Sequence, residues 1–208
     1  MLINYEPFLI IISSPSGAGK STLCGMLTHN DEKIKLSISA TTRPKREKEI
    51  DGIHYHFLSD EEFSGVKRQD GFLESANVFD YKYGTPKKMV EEELLKGNLV
   101  LFDIDWQGAR QIKGRFPKEL VLSIFILPPS LKELERRLRA RAQDPEEVVQ
   151  KRMKKSLDEI SHFDEYDYIL VNDNLNDSYQ KLQAIIDAKR LSCFDRNSLK
   201  SFIAADLS

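Results

Sequence analysis

Two cysteines, four histidines and one tryptophan are all that 208 residues hold of those types. Cys24 and Cys193 are too few to staple a disulfide scaffold, and they lack the spacing of zinc ligands. They read as small buried or half-buried side chains in a reducing compartment. No charge of one sign prevails: 31 Lys and Arg against 33 Asp and Glu leave a formal charge of −2. That balance argues against a general nucleic-acid coat and against a polybasic membrane anchor. Long apolar runs are missing too. The longest, Phe8–Ile12 and 123–127, fall far short of the ~20 residues that span a bilayer. Glu6 and Pro7 interrupt the first residues, and no basic stretch precedes the apolar run, so no signal peptide is expected. A soluble, cytoplasmic protein without nucleic-acid or membrane partners is the expectation.

What is present suits a folded core, with 40% hydrophobic and 31% charged residues. Phe8–Ile12 is continuously apolar and rich in β-branched residues, as in a central strand buried on both faces. Leu99–Phe102, Val121–Leu127 and Tyr168–Val171 look similar. Helical patterns lie between them. Thr85-Pro86 reads as an N-cap followed by proline at the first helical position, with a stop at Gly97. Ser130 to Glu133 has the spacing of a capping box. Asp144-Pro145 opens a further helix with Val149, Met153, Leu157 and Ile160 on one face. Strands alternating with helices predict an α/β fold around a mostly parallel sheet. Residues 39–85 break the rhythm with short alternating segments, glycines and aromatics, and read as a small, mostly antiparallel lobe. Residues 131–155 carry nine Lys and Arg against five Asp and Glu, a local excess of +4.

The first strand runs into Ser14-Pro15-Ser16-Gly17-Ala18-Gly19-Lys20-Ser21-Thr22 and then a helical pattern. This is G-x-x-x-x-G-K-[ST] with serine at the first glycine position. Backbone N–H groups in such a loop cradle phosphates, and the helix that follows adds its positive end. Lys20 would reach the β- and γ-phosphates of a nucleotide, and the Ser21 hydroxyl would ligate Mg²⁺. The dinucleotide fingerprint is absent, because Thr22 stands at its third glycine. A phosphate loop of this kind needs an acidic partner at a neighbouring strand end. Leu99 to Asp105 supplies two candidates. Asp103 directly follows the apolar run and fits the metal-side role better; Asp105 shares its face of an extended chain.

Together with these, several segments resemble the guanylate kinase family. They are 14–22, Ser-Ala-Thr-Thr-Arg-Pro-Lys-Arg at 39–46, Asp-Gly-Ile-His-Tyr at 51–55 and Gly-Phe-Leu-Glu at 71–74. Tyr-Gly-Thr-Pro at 83–86, Asp-Ile-Asp-Trp-Gln-Gly at 103–108, Arg-Leu-Arg-Ala-Arg at 137–141 and residues 162–172 continue the match in order. The resemblance covers about residues 9–186. It implies a P-loop core with a parallel sheet flanked by helices, a small mixed or antiparallel GMP-binding lobe and a helical lid. The expected boundaries are 1–38, 87–129 and 163–208 for the core, 39–86 for the lobe, and 130–162 for the lid with its flanking helices. The implied reaction is ATP + GMP to ADP + GDP with Mg²⁺, and dGMP is expected to share the site. Oligomeric state stays open.

The resemblance also implies residue roles. Ser14, Pro15, Ser16, Gly17, Ala18, Gly19, Lys20, Ser21 and Thr22 would hold ATP, with Asn172 on the adenine side. Arg43 and Arg46 would grip the GMP phosphate, as planar guanidinium forks can. Tyr55 and Tyr83 would donate hydroxyls to it, and Glu49 would orient the second arginine. Glu74 would accept guanine N1–H and N2–H₂ together, which adenine does not offer. Ser39 and Thr85 would contact guanine, and Asp105 would help position the acceptor. Arg137, Arg141 and Arg152 would be lid arginines closing on the ATP phosphates, so that Lys20, Arg43 and these three form the expected catalytic set. Ser21 and Asp103 form the expected metal set. Ala140 and Ala142 stand where the family often carries glycines.

His54 and His56 alternate around Tyr55 but have no evident third ligand, so they read as structural, as do His29 and His162. Trp106 reads as packing. Two rival readings remain: a non-catalytic phosphopeptide-binding relative of the same fold, and a related P-loop kinase acting on ribose bisphosphate. The retained Lys20, Ser21, Arg137, Arg141 and Arg152 disfavour the first. Glu74, Ser39 and Thr85 disfavour the second.

Overall fold

The computed structural model describes residues 5–78, 80–141 and 146–193, with the side chains of Arg141 and Val148 outside that description. The helix opening expected at Asp144-Pro145 therefore lies outside the described residues, as do the expected core residues beyond 193. In chain order the elements are β1 Leu9–Ser13, α1 Lys20–Asn30, β2 Ile34–Leu36, β3 Ala40–Thr41 and β4 His56–Phe57. There follow α2 Asp60–Arg68, β5 Phe72–Val78, β6 Tyr81–Pro86, α3 Lys87–Leu95, β7 Leu99–Asp103 and α4 Trp106–Arg115. The rest are β8 Val121–Leu127, α5 Leu131–Arg141, α6 Glu146–Ile160, β9 Tyr168–Val171 and α7 Leu175–Ser192.

One sheet has the order β2-β7-β1-β8-β9 and is parallel throughout. Alternation along β1 explains its unbroken apolar sequence. Phe8, Ile10 and Ile12 face a core shared with Leu23 and Leu27 of α1 and Leu182 and Ile186 of α7. Leu9 and Ile11 face the opposite core, with Val90 of α3 and Ala109 and Ile112 of α4. Such two-sided burial removes each side chain from water and contributes roughly 1.5–3 kcal/mol per large aliphatic. Strand β9 departs from the expectation. Only Leu170 is buried there, while Tyr168, Ile169 and Val171 are 44%, 49% and 49% exposed. The strand is the edge of the sheet, and no strand pairs with its outer side among the described residues.

The second sheet has the order β4-β3-β6-β5. It is mixed: β3 pairs parallel with β4, and antiparallel pairings join β3 to β6 and β6 to β5. Helix α2 packs on it through Phe63, whose ring centroid lies 4.5 Å from that of Phe72. A capping box that the sequence reading passed over starts α2: Ser59 Oγ accepts from Glu62 N and Glu62 returns to Ser59 N. Gln111 of α4 ties the small sheet to the large one. Its amide accepts from Ser75 N at 3.0 Å and donates to Ser75 O at 2.9 Å, extending the ladder of β5.

Three local readings need correction. Thr85 does not cap α3. It lies in β6, the cap position is Pro86 without a side-chain bond, and the Thr85 hydroxyl goes to Glu74 instead. The capping box at α5 is half formed: Ser130 Oγ accepts from Glu133 N, whereas the Glu133 carboxylate turns to Arg136 and Arg137. Leu157 is not on the inner face of α6. It is 47% exposed, and Arg152, Ser156 and Glu159 share the inward side.

Phe102 is fully buried beneath α3 and α4. Phe102→Ala should destabilise the protein by about 3–5 kcal/mol, read from urea unfolding as a lower midpoint at unchanged slope.

Candidate functional site: a phosphate loop and a buried carboxylate in one cavity

The phosphate loop leaves β1 at Ser13 and enters α1 at Lys20. Gly17 and Gly19 adopt φ of 91° and 97°, a backbone region that side chains disfavour. Ser14, at the first glycine position, needs no such conformation, and its hydroxyl donates to Pro15 O at 3.0 Å. The start of α1 has no side-chain cap and no acidic residue in its first turn. Its N–H groups and the positive end of its dipole are thereby left for an anion. Asn172 braces the loop from behind. Its Nδ2 donates to Ala18 O at 2.8 Å, and a Cβ on Gly19 would come within 2.4 Å of it. Asn172 is buried and lies outside the cavity lining, so the structure gives it a place under the loop.

Parallel pairing of β1 with β7 sets Asp103 beside Ile12. Ser21 Oγ donates to Asp103 Oδ2 at 3.0 Å, and the Lys20 ammonium contacts Oδ1. Burial lowers the Lys20 pKa, opposed by the fields of Cys24, Glu159 and Asp105. Two residues on, Asp105 caps α4 by accepting from Gly108 N at 3.0 Å.

Glu74, on β5, is 4% exposed. Its Oε1 accepts from the Thr85 hydroxyl at 2.7 Å. A Cβ on Gly108 would lie 2.7 Å from its Oε2, so the missing side chain makes room for the carboxylate. Burial pushes the Glu74 carboxyl up to about 7; the Thr85 hydrogen bonds oppose the rise and Asp105 adds to it.

Ser16, Gly17, Lys20 and Ser21 line the same cavity of about 330 Å³ as Ser39, Tyr55, Glu74 and Tyr83. Asp103, Asp105 and Arg152 also border it. Other sequence candidates lie elsewhere. Arg43 is half-buried on the far side of Tyr55, its Cζ 5.4 Å from that ring, and its guanidinium donates to Glu49 Oε1 at 2.6 Å. Glu49 thus holds the first arginine by its side chain and meets Arg46 only through the backbone, accepting Arg46 N at 2.8 Å. The Arg46 side chain is exposed. Arg137 donates to Glu133 at 2.8 Å and to Asn172 O at 3.4 Å, away from the cavity lining. Arg141 ends α5, and its side chain lies outside the described residues. Pro15 joins the lining, whereas Ala18 and Thr22 do not.

The sequence reading missed Lys155, Ser156 and Glu159, which extend the cavity wall from Arg152 along α6. Their spacing of three, four and seven residues was a visible helical stripe. The expected apolar face masked it. His54 Nδ1 accepts from Ile50 N, and His162 stacks on Trp106 at 3.8 Å, so both histidines brace loops.

Deleting the charge on Glu74 isolates its electrostatics. A carboxyl that titrates near 7 in the native state and near 4.5 when unfolded keeps its proton longer in the fold. Its stabilising protonation is complete below pH 4.5 and is lost as pH rises through 7. Glu74→Gln should therefore gain stability relative to the parent on the order of 3 kcal/mol between pH 4 and pH 8, read from unfolding curves at both. An equal difference at the two pH values would contradict this.

The guanylate kinase family model matches residues 7–189. A guanylate kinase of Sphingopyxis alaskensis is 50% identical over 189 residues, 91% of this chain and 86% of that protein. One of Jannaschia is 51% identical over 197 residues, 95% of this chain and 90% of that one. The crystal structure of guanylate kinase from Anaplasma phagocytophilum superposes with a TM-score of 0.76 at 34% identity, covering 91% of this chain and 89% of the other. With a phosphate loop and a buried carboxylate facing one cavity, and with these likenesses over most of its length, the chain belongs to the guanylate kinase family.

Proposed function

We propose that the protein transfers the γ-phosphoryl group of ATP to GMP, and to dGMP, in the cytoplasm. The observation that carries this reading is the single cavity onto which the phosphate loop and Glu74 both open. Donor and acceptor bound there would meet without crossing bulk water, which is most of what phosphoryl transfer asks of a protein.

Residues 14–22 wrap the ATP phosphates, with loop N–H groups and the Lys20 ammonium as donors. Ser39 and Glu74 recognise guanine; the ionised Glu74 accepts both N1–H and N2–H₂. Thr85 orients Glu74 through its hydroxyl. Tyr55 and Tyr83, whose ring centroids are 5.9 Å apart, direct hydroxyls to the GMP phosphate beside Arg43 and Arg46. Glu49 holds Arg43 in place. Asp105 borders the acceptor side from the end of α4. Arg137, Arg141 and Arg152 swing with a lid over 130–162, while 39–86 moves as the GMP lobe against the core of 1–38, 87–129 and 163–208. The GMP phosphate is already an anion, so no general base is needed.

The residues fit a divalent cation of the kind kinases use. No group of three or more His, Cys, Asp or Glu side chains among the described residues could hold an ion alone. Mg²⁺ suits such a site because it takes one or two protein oxygens and completes its shell with phosphates and water. The Ser21 hydroxyl and the Asp103 carboxylate, 3.0 Å apart, would be those oxygens. Bound there, Mg²⁺ would supply positive charge against the phosphate oxygens.

ADP release with MgATP should be stimulated by GMP and not by AMP, CMP or UMP. Stimulation by another nucleotide would remove Glu74 from base selection. Binding of MgATP without any stimulation would favour a sugar-phosphate acceptor or a non-catalytic role. Lys20→Ala should lower kcat by about 10²–10³-fold with the fold retained by circular dichroism; an unimpaired variant would refute the role of Lys20.

A further inference from the structure

Helix α6 presents Arg152, Lys155, Ser156 and Glu159 to the cavity as one stripe. A carboxylate in that stripe is unexpected on the wall of a site built to take phosphates, because like charges repel. Glu159 is nonetheless 9% exposed and engaged. Its Oε2 accepts the backbone N–H of Ser16 at 3.1 Å, inside the phosphate loop. Its Oε1 lies 3.8 Å from the Lys155 ammonium one turn earlier. Its field favours the charged form of Lys20. Ser156, between them, is fully buried and its hydroxyl has no hydrogen-bond partner among the described residues.

We propose that Glu159 is a positioning residue that fastens α6 to the phosphate loop through the Ser16 N–H, holding Arg152 and Lys155 in register over the Lys20 end of the cavity. Three features support this. The bond joins residues 143 positions apart and so fixes two separate elements. Arg152 stands two helical turns from Glu159 on the same face, so any rotation or slide of α6 that moves one moves the other. Burial raises the Glu159 carboxyl pKa, while Lys155, the Ser16 N–H and Lys20 pull it down and Asp105 pushes it up. Cations and an amide thus offset part of the burial cost at the oxygen that accepts the Ser16 N–H. A rival role is that of an anion standing in the place of a phosphate, to be displaced by ATP. The two differ in sign: loss of a fastener weakens ATP use, whereas loss of a competitor strengthens it.

The inference rests on the proposed phosphoryl transfer from ATP, and the test separates the two. Full-length Glu159→Gln, Glu159→Asp, Arg152→Ala and the Glu159→Asp/Arg152→Ala double variant are compared with the parent. The readouts are steady-state kcat and KM for MgATP and GMP, with MgATP affinity by calorimetry. Glu159→Gln keeps an oxygen that accepts the Ser16 N–H and should stay within about threefold of the parent. Glu159→Asp keeps the charge but is one methylene short, and should lose about 10–100-fold in kcat/KM for ATP with KM for GMP unchanged. The double variant should fall no further than the worse single one, because Arg152 acts through the placement that Glu159 provides. Any of these results would overturn the proposal: an unimpaired Glu159→Asp, a Glu159→Gln as impaired as Glu159→Asp, or tighter MgATP binding in either. Multiplying effects in the double variant would do so too. A parent without GMP-dependent ADP release would strike the proposed reaction instead; calorimetry would still decide Glu159, since equal MgATP affinity in parent and Glu159→Asp overturns it and a weakened Glu159→Asp beside an intact Glu159→Gln upholds it.

Discussion

The side-by-side ends of β1 and β7 govern the rest of the site. Register in a parallel pair is fixed by the ladder, and here it sets Ile12 against Asp103. The chain leaving Ile12 must form the phosphate loop within a few residues, and it enters α1 with Lys20 and Ser21 pointed back at Asp103. A slip of one residue would turn Asp103 to the other face and push Phe102 into the opposite core, where Leu101 packs now. The packing that holds the sheet and the charge that serves the loop are therefore one constraint. The order β2-β7-β1-β8-β9 adds to this, because connections depart to opposite sides of β1 and leave a crevice beyond the strand ends.

The same segment reaches the other end of the cavity. Asp103 closes β7, Asp105 caps α4, and Gly108 in the first turn leaves room for Glu74. Gln111, one turn later, binds both backbone groups of Ser75, the neighbour of Glu74. A stretch of nine residues thus ties the loop's acidic partner to the buried carboxylate of the small sheet. The spacing between the two ends is set by one helix start. Backbone caps and ladder bonds resist distortion better than long surface side chains, whose ordering is entropically opposed. A site that must align two substrates gains from being anchored in this way.

Much of this was legible in the sequence where chemistry and pattern coincide locally. Phe8–Ile12 and Leu99–Phe102 read as buried strands because two-sided burial demands continuous apolar residues. The loop read clearly because glycines and Lys20 sit at fixed offsets within nine residues. Reading failed where a residue's partner is distant. Thr85-Pro86 looks like a helix start, yet the Thr85 hydroxyl is taken by Glu74, a cross-strand neighbour that local spacing cannot announce. Glu49 could brace either arginine by sequence distance, and the fold chose Arg43 by bringing its guanidinium against Tyr55 and Phe57. Glu159 stands 143 residues from Ser16 in sequence and carries no motif. Tyr168–Val171 has the composition of a central strand and became an edge because the sheet ends there.

The charges of α5 and α6 show why a helix pair can be rich in ion pairs without gaining stability from them. Arg136 and Arg137 share Glu133, and Arg139 bridges Glu135 and Glu146. These pairs lower the Glu133 and Glu146 carboxyls to about 2. They lie at the surface, where solvent screens the attraction and ordering long side chains opposes it, so they add little to stability. A guanidinium held that weakly can exchange its carboxylate for a phosphate, which offers more charge and bidentate geometry. Arg137 illustrates the balance. It keeps one firm bond to Glu133 and two long ones to Asn172 O, the residue that itself braces Ala18 of the phosphate loop. Any movement of that guanidinium is thereby coupled, through Asn172, to the Ala18 carbonyl of the loop.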